Sequence, residues 1–107
     1  MGGAGMGSSV VVLVRYRALP GREQTALHEI SELVATVRAH EPECGGIKIL
    51  RHWAEPTQIT LIEEWPSRET FLGPHMQRPH IESFIQRAGA FLEGPPDISF
   101  WSAVGGA

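Results

Sequence analysis

The sequence predicts an α+β fold of β-α-β-β-α-β order, the ferredoxin-like or split βαβ arrangement: a four-stranded antiparallel sheet with both helices on one face. Three observations carry that prediction. Four runs are apolar, β-branched and aromatic; two segments repeat apolar residues at three-four spacing; and Gly/Pro punctuation separates all six in that order. A chain of 107 residues has room for one such domain.

Residues 1–9 are nearly all Gly, Ala, Ser and Met, with high chain entropy and little apolar surface to offset it. They are expected to be a disordered tail ahead of a single domain at residues 10–104. The first strand, residues 10–18 (VVVLVRYRA), stops at the turn signal Leu19-Pro20-Gly21. Ala26, Leu27, Ile30, Leu33, Val34 and Val37 then keep helical spacing, which predicts a first helix over residues 23–40. Glu23 at its start and Arg38 with His40 at its end complement the helix dipole, and Pro42 ends it. Gly45-Gly46 opens a second strand at residues 47–53, and Ala54-Glu55-Pro56-Thr57 turns the chain into a third at residues 58–65, so the two form a hairpin. Ser67 is an N-cap for a short helical turn through Phe71, which Gly73-Pro74 breaks. Ile81, Phe84, Ile85, Ala88 and Leu92 predict a second helix over residues 80–92, ended by Gly94-Pro95-Pro96. Residues 97–104 (DISFWSAV) form the fourth strand.

Strand alternation leaves apolar residues on both faces of this sheet. Within each strand both parities carry them: Val10, Val12, Val14 and Tyr16 against Val11 and Leu13; Ile47, Ile49 and Trp53 against Leu50; Ile59, Leu61 and Trp65 against Ile62; Ile98, Phe100 and Val104 against Trp101 and Ala103. The pattern does not fix which set meets the helices. Two helices cover one face, and the economical cover for the other is a second copy about a two-fold axis, so a homodimer is expected. The bland alternative is that the thinner set reflects β-propensity alone.

With 9 Lys+Arg against 12 Asp+Glu, the net charge of −3 argues against nucleic-acid or anionic-membrane partners, which require a concentrated basic stripe. The longest apolar run, residues 10–14, is far short of the roughly 20 residues that span a bilayer. Cys44 stands alone and cannot form an intramolecular disulfide, and no signal-peptide pattern opens the chain; both fit a cytoplasmic protein.

Phosphate loops and paired-Cys motifs are missing, and His28, His40, His52, His75 and His80 show no metal-ligand spacing, so no metal is expected. Three features could carry chemistry. Glu63-Glu64-Trp65 ends an apolar strand, placing at least one carboxylate near buried surface as a candidate base; an acidic strand end facing water is the plainer reading for either one. His75 lies in an irregular stretch between apolar segments, where a histidine either moves protons or makes a structural hydrogen bond. Tyr16, Trp53, Trp65 and Trp101 lie in predicted strands, as core or as walls of a cavity for a flat aromatic ligand.

Four strings, Tyr16-Arg17-Ala18-Leu19-Pro20-Gly21-Arg22-Glu23, Arg38-Ala39-His40-Glu41-Pro42-Glu43-Cys44, Glu63-Glu64-Trp65-Pro66-Ser67-Arg68-Glu69 and His75-Met76-Gln77-Arg78-Pro79-His80, stand in an order that resembles the antibiotic biosynthesis monooxygenase family. The resemblance implies the dimeric α+β barrel. It also implies oxygenation of a quinol, anthrone or related aromatic substrate by dioxygen without flavin, haem or metal. An electron-rich phenol or anthrone, once deprotonated, hands an electron to dioxygen itself, so the protein need only bind it, take a proton and exclude water. On that likeness His75 and Trp65 are the expected catalytic pair, with Tyr16, Trp53, Glu64, Phe71 and His80 expected to bind substrate. Leu61 and Phe71 stand where anthrone-type members carry Asn and Tyr, and Val14-Arg15-Tyr16 stands where the haem-degrading branch carries Asn, which turns the expectation away from haem. A non-catalytic small-molecule binding module, or a non-oxidative isomerase, is the rival on the same fold.

Overall fold

The computed structural model describes residues 9–106. The expected disordered tail therefore lies, apart from Ser9, outside the described residues. Strand β1 (Val10–Arg17) is followed by helix α1 (Glu23–His40), strands β2 (Gly46–Arg51) and β3 (Gln58–Trp65), helix α2 (Arg68–Leu72), a 3₁₀ turn (His75–Gln77), helix α3 (Pro79–Arg87), a second 3₁₀ turn (Ala88–Ala90) and strand β4 (Asp97–Trp101). The strands form one antiparallel sheet in the order β2-β3-β1-β4, as the ferredoxin-like arrangement requires.

Register decides which parity meets the helices. Val10 pairs with Trp65, Val12 with Glu63, Val14 with Leu61 and Tyr16 with Ile59, while Val12 and Val14 meet Phe100 and Ile98 on the other side. This set is the inner face. Val12, Val14, Ile59, Leu61 and Trp65 are buried there against Ala26, Ile30, Leu33 and Val37 of α1 and Ile81 and Phe84 of α3. The other parity, with Val11, Leu13, Leu50, Ile62 and Trp101 among Arg15, Lys48, Glu64 and Asp97, turns away from the helices. Trp101 is 55% exposed and Leu50 42%.

Several predicted ends shift. β2 stops at Arg51 because His52 closes the hairpin: its Nδ1 accepts from the backbone N–H of Ala54 and of Glu55, at 3.1 and 3.0 Å. Trp53 is thereby lifted out of the sheet to the hairpin tip, where it is 94% exposed. The second helix starts one residue early, with Pro79 at its first position, and tightens to 3₁₀ geometry after Arg87. β4 ends at Trp101, where its pairing with Val11 of β1 ends, so Ser102 to Val104 are not strand. Ser67 caps α2 as expected, its Oγ accepting from the backbone N–H of Thr70 at 3.0 Å.

Candidate functional site

Between the inner face of the sheet and the helices lies a cavity of about 460 Å³. Val14, Tyr16, Leu61, Glu63 and Ile98 of the sheet form one wall; Leu33, Val34 and Val37 of α1 and Ile81, Phe84 and Ile85 of α3 form the other. Phe71, His75 and Met76 close one end, and the Gly94-Pro95-Pro96 segment borders the other. Tyr16, Glu63 and His75 supply the polar side chains among these walls. The volume suits a drug-sized molecule, and the apolar lining with a few polar groups is what such a ligand needs.

His75 is buried, 3% exposed, in the turn that follows the Gly73-Pro74 break. Its ring lies 4.3 Å from that of Trp65 and 4.9 Å from that of Phe71, centroid to centroid. Nδ1 sits 2.9 Å from Oε1 of Glu41, while Nε2 has no hydrogen-bond partner among the described residues and the ring borders the cavity. Burial, the largest influence, pushes the imidazole below its ordinary value against the pull of Glu41.

Trp65 is 1% exposed and lies behind this wall, its indole N–H donating to Oε1 of Glu63 at 2.8 Å. Burial pushes the Glu63 carboxyl up to about 7; the Trp65 hydrogen bond pulls the other way and the charge of Glu41 adds to the rise. Burial and the nearby Glu63 charge hold the Tyr16 phenol above its ordinary value, so it remains an O–H donor. Burial likewise raises the Cys44 thiol, which keeps it protonated, in line with its lack of any nucleophile signal.

The structure brings His75, Tyr16 and Phe71 together on the cavity lining, with Trp65 packed behind them, and it revises the other expectations. Glu64 occupies the outward parity of β3 and is exposed, so the carboxylate that enters the cavity is Glu63, one residue earlier. Trp53 is at the hairpin tip and away from the cavity, because its strand ends two residues before it. Trp101 faces outward, its indole N–H donating to Ser99 Oγ. His80 does not line the cavity; its Nε2 sits 2.6 Å from Oε2 of Glu41. Sequence reasoning passed over Glu41, a buried carboxylate 1% exposed that meets both histidines and lies 3.7 Å from Arg78 Nε. Its signal is faint: Pro42 disfavours helical dihedrals at Glu41, and the chain leaves helical geometry at that C-cap. Among the described residues no three His, Cys, Asp or Glu side chains are arranged to hold a metal ion, and no helix is long and apolar enough to cross a membrane.

Several solved structures share this fold. A Pseudomonas aeruginosa protein, PA3566, superposes with a TM-score of 0.80 at 20% identity, covering 92% of this chain and 96% of its own. Rv0793 of Mycobacterium tuberculosis gives 0.78 at 20% identity, with 94% and 99% covered. A structure described as an antibiotic biosynthesis monooxygenase gives 0.78 at 24% identity, with 90% and 99% covered. No curated protein matches the sequence. The sequence itself matches the profile for antibiotic biosynthesis monooxygenase over residues 9–87. With well over half of its length inside that profile, the chain belongs to the antibiotic biosynthesis monooxygenase family.

Proposed function

We propose that the protein is a cofactor-independent monooxygenase that holds a quinol, anthrone or similar flat aromatic molecule in the cavity and oxidises it with dioxygen. The observation that carries this reading is the cavity of about 460 Å³, apolar on nearly all sides, with His75, Glu63 and Tyr16 as its polar side chains. Membership of the family supports it.

In an anthrone-type substrate, His75 Nε2 takes the acidic proton of the ring system and leaves an electron-rich anion. Tyr16 O–H and the Glu63 carboxyl hydrogen-bond the substrate oxygens, and the ring lies beside Phe71 with Trp65 behind. The anion gives one electron to dioxygen, and the superoxide and substrate radical join as a peroxide on the former methylene carbon. Loss of water leaves a carbonyl there. One atom of dioxygen enters the product and the other departs as water with the two methylene hydrogens. Exclusion of bulk water from the apolar chamber keeps the anion and the radical pair from side reactions.

The domain at residues 10–104 is the working unit of this reading, in the cytoplasm and as a homodimer with its outer sheet face covered by a second copy. Lone, buried Cys44 supports a reducing compartment. The outward cluster of Val11, Leu13, Leu50, Ile62 and Trp101 supports the dimer. Dioxygen uptake with a panel of anthrones and quinols is the test. The wild-type protein is expected to exceed His75→Ala by at least about tenfold on its best substrate. Equal rates across the panel would end the oxygenase reading, and tight ligand binding without oxygen consumption would make the domain a binding module.

A further inference from the structure

Behind the His75 wall of the same pocket lies a carboxylate to which the chemistry above gives no task. Glu41 is 34 residues from His75 and 39 from His80 in sequence, yet its two oxygens meet one imidazole nitrogen each, at 2.9 and 2.6 Å. Burying a carboxylate is costly unless donors surround it. Here the imidazoles of His75 and His80 do, with the Arg78 guanidinium 3.7 Å away as a nearby positive charge, all drawn from the single stretch between α2 and the first turn of α3. We propose that Glu41 is the positioning residue of this site: it holds His75 in the tautomer that bares the Nε2 lone pair to the cavity, and His80 anchors it from the far side.

The argument is one of donors and acceptors. An ionised carboxylate only accepts, so the nitrogen facing it carries the hydrogen. For His75 that nitrogen is Nδ1, and a neutral ring protonated there has its lone pair on Nε2, the atom without a protein partner. Trp65 and Phe71, packed on the ring, hold its plane. In the other tautomer Nε2 would already carry a proton and could take none from a substrate. Once Nε2 is protonated, the adjacent negative charge favours the imidazolium. Glu41 thus acts through His75 and touches no substrate.

This inference rests on the reading of His75 as the base, and its test separates the two. Nitrogen-15 NMR of the histidine rings in the wild-type protein, at a pH where His75 is neutral, is expected to show hydrogen on Nδ1 and a bare Nε2. Hydrogen on Nε2 would overturn the assignment whether or not any compound consumes oxygen, and it needs no variant to fold. With an active substrate, Glu41→Gln is expected to lower kcat at least about tenfold with KM within about threefold of wild type. The acidic limb of its kcat profile should move to lower pH: among the charged groups facing the ring, Glu41 favours the imidazolium while His80 and Arg78 oppose it. Full activity with an unmoved limb would remove Glu41 from the mechanism and leave the oxygenase reading standing. Hydrogen on Nδ1 with no oxygen uptake by the wild-type protein on any compound of the panel would do the reverse: the tautomer would stand and the oxygenase reading would fall.

Discussion

Glu63 is a residue whose ionised form the protein resists. Its carboxyl is 4% exposed and is pushed from an ordinary 4.5 to about 7, chiefly by burial. A carboxyl raised in the folded state binds its proton more tightly there than in the unfolded chain. Stability is therefore lost as pH rises from about 4.5 through 7, and the loss is complete above that window. Glu63→Gln keeps the acceptor for the Trp65 indole and cannot ionise. Its stability relative to wild type should grow by roughly 2 kcal/mol between pH 5 and 8, read from urea unfolding at each pH; a constant difference would mean that Glu63 ionises freely. Trp65→Phe removes the donor that favours the ionised form. The Glu63 carboxyl carbon, followed by NMR, should then titrate above its wild-type midpoint of about 7. Choosing Glu63 over Glu64 needs only parity, and parity was open in the sequence because both faces carry apolar residues. The pairing of Val12 with Glu63 decides it. His75, Trp65 and Tyr16 were legible from their strings; Glu41 was not, since its role exists only once the chain folds residues 41, 75 and 80 together.

At the scale of elements, local chemistry spoke clearly wherever it acts within a few residues. The helix of residues 23–40 has a clean three-four period, an acidic start, a basic end and a proline stop, and it forms over the predicted span. Strand ends are a different matter. Residues 52 and 53 have strand composition, but β2 lasts only while β3 offers partners, and the His52 side chain turns the hairpin first. α2 shows how much a cap does for a short element. Five residues cannot hold a helix by propensity alone, so Ser67 and the burial of Phe71 must. Phe71 in turn packs against both Trp65 and His75. Ser67→Ala should cost about 1 kcal/mol and lower the melting temperature by roughly 4–8 °C in calorimetry. An unchanged melting temperature would show that packing of Phe71 suffices.

At the scale of the whole molecule, the sheet order puts β3 and β1 in the middle, and with them the apolar centre of the outer face. Leu13 pairs with Ile62 there, and Val11 lies between Glu64 and Trp101. Among the described residues no helix covers this side, while the charged Arg15, Lys48, Glu64 and Asp97 stand around the centre with both signs present. A two-fold axis through such a face sets each apolar residue against its own copy's neighbours and lets opposite charges meet across the rim. Sedimentation equilibrium at micromolar concentration should therefore find twice the 11.7 kDa chain mass. Leu13→Glu inserts the same charge twice near the axis and should leave the 11.7 kDa species alone. A wild-type protein that sediments as a single chain would refute the dimer. The cavity lies between the inner face and the helices, on the opposite side of the sheet from Leu13, so a folded Leu13→Glu monomer should still bind an anthrone or quinol. If binding vanished with the dimer while circular dichroism and melting stayed native, the second copy would have to shape the chamber from outside, through the strands that the two sheets press together.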